Sequence, residues 1–181
     1  MRQLARLAAG ALFVLSVAGC ATTMSVSSHV DRSVDFARYR TYNWGPADAL
    51  PTGDSRLDKS PFFKDHMEGE VEKQLAAKGF KGPTSRKPDL LIHYHASINQ
   101  RLNANLVDRG YGYCENDCGD LANEYEAGTL MLDIVDARTK KMIWRGWVQD
   151  SMEGVIDHPD RLQKKIHEAV ARIIAQLPPR A

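Results

Sequence analysis

Asp89-Leu90-Leu91-Ile92-His93-Tyr94-His95-Ala96-Ser97-Ile98-Asn99 is the stretch from which the fold can be read. It alternates strictly: Leu90, Ile92, Tyr94, Ala96 and Ile98 fall on one side of an extended chain, and Leu91, His93, His95, Ser97 and Asn99 on the other. A strand with one apolar side needs a second layer to cover that side. Gly82-Pro83 and Pro88 mark a turn before it. After it, residues 100–127 are rich in Asn, Gly, Tyr and Asp and hold no sustained period, which predicts a long irregular connection. Two more strands are predicted at Thr129–Asp136 and Lys141–Gln149, joined through Ala137-Arg138-Thr139-Lys140 as a hairpin.

The covering layer is written on either side of these strands. Ser60 and Pro61 stand in the cap and first-turn positions of a helix, and Phe63, Met67, Val71 and Leu75 recur every four residues as its buried stripe. Gly79 stops it and Phe80 folds back onto its end. Asp157-His158-Pro159 opens a second helix, with Leu162, Ile166, Ala169, Val170, Ile173 and Leu177 on one face and Pro178-Pro179 behind it. Nearer the N-terminus, Val26, Ser28 and Val30 alternate with polar neighbours, and Tyr39–Trp44 is rich in aromatic and β-branched residues; both read as strands. Gly45-Pro46 ends the second, and loop chemistry follows up to Ser60. The order ββαβββα predicts an α+β domain: a mostly antiparallel sheet of about five strands with two amphipathic helices on one face.

Residues 1–19 stand outside that pattern. Arg2 and Arg6 precede an apolar run from Leu7 to Val17, too short to cross a bilayer comfortably and proportioned like a signal-peptide core. Val17-Ala18-Gly19-Cys20 resembles the lipobox read by the lipoprotein signal peptidase. The expectation is a cleaved signal peptide at 1–19, lipid on Cys20, a tether over 20–25 and a single domain over 26–181. Each buried methylene contributes ~0.8 kcal/mol, so the two or three acyl chains of such an anchor hold essentially permanently to the membrane. Ala21, where no aspartate stands, resembles the sorting signal for an outer-membrane position facing the periplasm. Removing residues 1–19 from the 181 leaves 162, enough for one well-filled core. It also removes two arginines and no acid, taking the net charge from +1 to −1. A nearly neutral domain offers no general attraction for nucleic acid. No cofactor is expected, because no phosphate-cradling loop, nucleophile elbow or EF-hand pattern is present.

Several short pieces recur in a familiar order: Asp31, Asp35-Phe36, Tyr39 and Thr41-Tyr42-Asn43-Trp44; then Pro88-Asp89-Leu90-Leu91-Ile92; then Gly128-Thr129-Leu130, Asp133, Asp136-Ala137, Thr139 and Ile143-Trp144-Arg145-Gly146; and last Leu177-Pro178-Pro179. Together they resemble the bacterial lipoprotein family known as domain of unknown function 4136, over essentially all of the mature chain. The resemblance implies a periplasm-facing α+β domain behind a lipobox. It implies no activity.

Candidate chemistry is sparse. His93 and His95, two apart on a strand, point to one face, a spacing zinc enzymes use for two imidazole ligands, and Asp133 supplies a third if its strand is the neighbour. The bland alternative is an inert, hydrogen-bonded pair. Cys114 and Cys118 are one residue too far apart for a thioredoxin-type motif, and in an oxidising periplasm they are expected to pair as a staple contributing roughly 2 kcal/mol. Tyr111 and Tyr113 beside them suit a partner-binding tip or a decorated loop. Asp31 and Asp35 sit in turn-rich sequence, where aspartate bonds local amides. Trp144 is expected in the core, with Trp147 on the opposite side of its strand. The leading expectation is a non-enzymatic binding or scaffolding domain serving another envelope protein. Its rivals are a metal-dependent hydrolase using His93 and His95, and a carrier of a small envelope ligand held between sheet and helices.

Overall fold

The computed structural model describes residues 24–46, 54–84, 86–102 and 124–179. The alternating stretch forms β3 (Leu90–Leu102), which pairs antiparallel with β4 (Glu124–Asp136) without a break from Leu90↔Asp136 to Leu102↔Glu124. The irregular connection expected over 100–127 is therefore strand at both ends. Asn99, Gln100 and Arg101 are exposed, so this two-stranded ribbon rests on ladder hydrogen bonds and leaves no hydrophobic period to read.

β5 (Met142–Ser151) lies along the other side of β4. Beside it, at one edge of the sheet, runs β1 (Ser25–Val30), antiparallel from Ser25↔Gln149 to Val30↔Trp144. β2 (Tyr42–Trp44) occupies the opposite edge and runs parallel to β3, giving the order β1-β5-β4-β3-β2. The sheet is thus mixed, with three antiparallel pairings and one parallel. The parallel pairing follows from the path of the chain, which leaves β1 at one edge and crosses the end of the sheet to reach the other. That crossing also shortens the strand expected over Tyr39–Trp44: Phe36–Arg38 form a 3-10 turn whose Ala37 amide is capped by the Asp35 carboxylate, and Tyr39 turns inward.

The helices follow their sequence signals closely. In α2 (Pro61–Ala77) the Ser60 hydroxyl accepts from the Phe63 amide at 3.1 Å, and Phe63, Met67, Val71 and Leu75 are all buried. Gly79 adopts φ 84°, which lets the Phe80 amide return to the Leu75 carbonyl at 3.0 Å and buries the Phe80 ring. A short helix, α1 (Ser55–Asp58), stands where only loop chemistry was expected, capped by the Asp54 carboxylate. α3 (Pro159–Ala175) buries Leu162, Ile166, Ala169, Val170, Ile173 and Ile174. Both long helices pack on the Leu90, Ile92 and Ala96 face of the sheet, where burying each such aliphatic or aromatic side chain contributes about 1.5–3 kcal/mol. Trp144 is fully buried there, and its ring lies so close over Gly146 that an added β-carbon would sit 2.4 Å from Trp144 Cη2 and 2.7 Å from Ile173 Cγ2. Among the described residues no helix is long and apolar enough to cross a membrane.

Candidate functional site

The sheet has a second face, and neither long helix packs on it. Alternation places Leu91, His93, His95, Ser97 and Asn99 of β3 there, with Met131, Asp133 and Val135 of β4, Arg145 and Trp147 of β5, and Ser27 and His29 of β1. Register then lines up one row of ionisable side chains across four strands: His29 opposite Arg145, Arg145 opposite Asp133, and Asp133 opposite His93. The row is flanked by apolar neighbours, Leu91 and Val135 on one side and Met131 and Trp147 on the other, all half-buried.

At the centre of the row Arg145 grips Asp133 with two parallel hydrogen bonds, Nε to Oδ1 and Nη2 to Oδ2, each 2.6 Å. This fork-to-fork pairing is the strongest geometry open to the two groups, and it pushes the guanidinium pKa up. Asp133 is nearly covered while Arg145 keeps 37% of its side chain exposed, so the pair is reachable from solvent on the guanidinium side. His95 Nε2 stands 3.9 Å from Asp133 Oδ2, and His95 Nδ1 is buried with no hydrogen-bond partner. An orphaned polar atom of this kind costs about 1–3 kcal/mol unless something satisfies it. Burial pushes the His93 imidazole pKa down, against the pull of the Asp133 carboxylate. Its ring rests directly on Gly45: a β-carbon there would lie 2.0 Å from His93 Cε1.

The structure brings His93, His95 and Asp133 onto one face of neighbouring strands; the spacing predicted the histidine pair, and Asp133 joins it because β4 is the neighbour of β3. It also adds Arg145, a partner that sequence reasoning did not supply and that occupies both carboxylate oxygens. Among the described residues no group of three or more His, Cys, Asp or Glu is placed to hold a metal ion. Cys20, Tyr111, Tyr113, Cys114 and Cys118 lie outside the described residues.

Two other places gather polar or apolar groups. At the end of the sheet, Asp136 accepts from the Tyr39 hydroxyl at 2.7 Å and from the amides of Thr139 and Arg138 at 2.8 and 2.9 Å. Burial opposes its charge, yet these donors hold the carboxyl well below the usual carboxylate range. Asp89 accepts from the amides of Arg40 and Thr41, both at 2.9 Å, and from the Thr41 hydroxyl at 3.0 Å. Both carboxylates face a shallow cleft of about 370 Å3, but their lone pairs are spent on holding the crossing segment and the β4–β5 turn to the sheet. Asp31 and Asp35 likewise bond local amides, of Ser33 and Ala37, at 2.9 Å. The second place is a cavity of about 60 Å3 between helices and sheet, lined by Met24, Phe63, Leu130, Met152, Ile166 and Ala169, with the Lys165–Asp150 ion pair beside it. Sites for small ligands usually offer ~300–1,000 Å3.

These features define a two-layer α+β domain whose sheet carries both long helices on one face and a cross-strand ionic row on the other. The chain belongs to the DUF4136 family, a domain of unknown function, whose profile matches residues 26–179. No curated protein matches the sequence. Among solved structures, a DUF4136 family protein from Bacteroides thetaiotaomicron is 15% identical, with a TM-score of 0.53 over 84% of this chain and 95% of that one. A PDZ domain protein from Parabacteroides distasonis is also 15% identical, with a TM-score of 0.53 over 86% of this chain, which spans only 36% of that longer protein. A PelC dodecamer from Paraburkholderia phytofirmans is 11% identical, with a TM-score of 0.48 over 88% of this chain and 100% of that one. At such identities the likeness is one of fold.

Proposed function

We infer that this protein is a lipid-anchored component of the bacterial cell envelope, held through Cys20 to the outer membrane and facing the periplasm, and that its domain binds another envelope component without catalysis. The observation that carries the binding role is the second sheet face. Trp147, Met131, Leu91 and Val135 surround a reachable Arg145–Asp133 pair on a surface that neither long helix covers. Half-buried aromatic and aliphatic side chains around a bidentate arginine are the composition of an interface centre. The anchoring role draws support from the charged, apolar and small-residue order of residues 2–20, and from β1 beginning at Ser25, a few residues beyond Cys20. Cys114 and Cys118 belong to the same reading as a structural staple formed in an oxidising compartment.

Two measurements test it. Intact-mass analysis of protein extracted from membranes should show diacylglycerol on Cys20, and Cys20→Ser should move the protein out of the membrane fraction; unmodified Cys20 overturns the anchor. A photo-crosslinking residue at Trp147 should capture one dominant envelope partner in intact cells, while the same residue at exposed Lys164 on α3 captures none. Equal capture at both positions overturns the docking face.

A further inference from the structure

We propose that the end of the sheet opposite the tether binds the cell-wall polymer through its carboxylate-bearing peptide stems, by arginines and lysines drawn from three segments. The proposal is independent of the docking face, and only its orientation rests on the anchor inferred above.

Three segments are stitched together at that end. Residues 31–41 cross from β1 to β2, residues 81–89 lead into β3, and residues 136–142 turn from β4 into β5. Backbone bonds of 2.9 Å join them to the sheet and to one another: the Asp31 amide donates to the Ile143 carbonyl, the Lys81 amide to Arg40 and the Ala137 amide to Asp89. The crossing carries Arg32, Arg38 and Arg40, all exposed. The second segment exposes Lys81, Arg86 and Lys87, and the turn exposes Arg138, Lys140 and Lys141. Against these nine cations stand four carboxylates, Asp31, Asp35, Asp89 and Asp136, an excess of five positive charges in a mature chain whose net charge is −1. None of that excess depends on a histidine. The four carboxylates are turned onto backbone amides of the same segments. Asp31 and Asp89 still act on Lys141 and Arg40 at longer range, and Arg38 stands 3.4 Å from Asp136. Among the described residues none of the other eight cations forms an ion pair. Gathering like charge at one end costs self-repulsion, which a bound polyanion relieves. The cations are spread over the end rather than converging on one pocket, so a polymer of repeated anions fits them better than a single small one.

The register says where this end points. Ser25 pairs with Gln149 and Val30 with Trp144, so the length of β1 puts about 20 Å between the tether and the basic end. Met24 is buried, which leaves Cys20 to Thr23 between the lipid and the domain, ~14 Å at full extension. That is too short to turn the basic end back onto the anchoring membrane. It faces away from the lipid headgroups, into the space that holds the wall.

The test is co-sedimentation of the full lipidated protein, in nanodiscs of neutral lipid, with purified peptidoglycan sacculi. Sacculi should carry the protein down at low ionic strength, and salt at ~150 mM should weaken that retention. Sacculi whose carboxyls have been amidated should retain little. An exposed ion pair changes affinity by about two- to fivefold, so the triple variant Arg86→Gln/Lys87→Gln/Arg138→Gln should bind about tenfold more weakly. Lys59→Gln/Lys64→Gln/Lys164→Gln, which removes three exposed charges near the starts of α2 and α3, should bind as the natural protein does. No sedimentation, equal retention by amidated sacculi, or equal binding by the two triple variants overturns the proposal. Retention on phosphatidylglycerol vesicles but not on sacculi would make the ligand a lipid and overturn it as well. Cys20→Ser protein should also sediment with sacculi, so an unlipidated Cys20 would remove the anchor and the orientation while leaving the wall-binding end in place.

Discussion

Asp133 faces Arg145 because of one extra residue. Near the turn, Val135 pairs with Met142, a register that would set Asp133 opposite Trp144; the shift between Ile134 and Val135 sets it opposite Arg145 instead. Alternation alone placed His93 and His95 on one face; that Asp133 stands on the neighbouring strand was left conditional by the sequence and is settled by the β3–β4 pairing. The Arg145 clasp was not legible, because a bulge leaves no mark in a hydrophobic pattern. Asp136 and Asp89 tell the same story from the other side: they look like acid–base candidates in a list of carboxylates, and their surroundings make them backbone staples. Asp136→Asn, which leaves an amide facing the Tyr39 hydroxyl and two backbone donors, should cost about 2–3 kcal/mol in urea unfolding. A loss under about 0.5 kcal/mol would show that the staple is dispensable. His93 gives a pH signature. Its native pKa is lowered, so the unfolded chain binds the proton more readily. Its contribution to stability is complete above the unfolded value of about 6.5 and is lost as pH falls through the lower native one. Thermal melts from pH 7.5 to 5.5 should therefore fall more steeply for the natural protein than for His93→Gln; parallel curves would contradict the burial argument.

At the scale of elements, what was legible had a period. The stripe of α2, the apolar face of α3 and the alternation of β3 each repeat over several turns or pleats, and all three formed where expected. The elements that escaped have none. β2 keeps three residues, α1 has four, and the ribbon beyond Asn99 pairs Gln100 with Glu126 and Arg101 with Tyr125, with no apolar alternation to read. Glycines inside elements also divide by what surrounds them. Gly69 is exposed on α2 with nothing within 4 Å of an added β-carbon, so Gly69→Ala should stabilise the protein by about 0.5–1 kcal/mol through helix propensity. Gly146 lies under Trp144 and Ile173, and Gly146→Ala should destabilise it by about 1–3 kcal/mol through overpacking. Denaturant midpoints moving in the same direction for both substitutions would contradict the packing described around Trp144.

On the scale of the whole molecule, the sequence order ββαβββα carried the layer architecture but not the edge assignment. Which strand sits beside which depends on pairings distant along the chain, and local pattern does not record them. The proposed anchor adds a compartment, and with it a prediction for the segment between β3 and β4: peptide mapping without reductant should recover Cys114 and Cys118 in one linked fragment, and free thiols there would argue against an oxidising location.

The edge position of β1 has a bearing on how the domain comes into being. The strand made first is paired with β5, so Ser25 waits for Gln149 and Val30 for Trp144. Until those residues emerge, the opening strand has no ladder and the central tryptophan of the core is missing. A chain cut off before β5 is thus not a smaller version of this domain. Such topology postpones folding until the polypeptide is nearly complete, because the pairing that closes the edge is also the most distant along the chain.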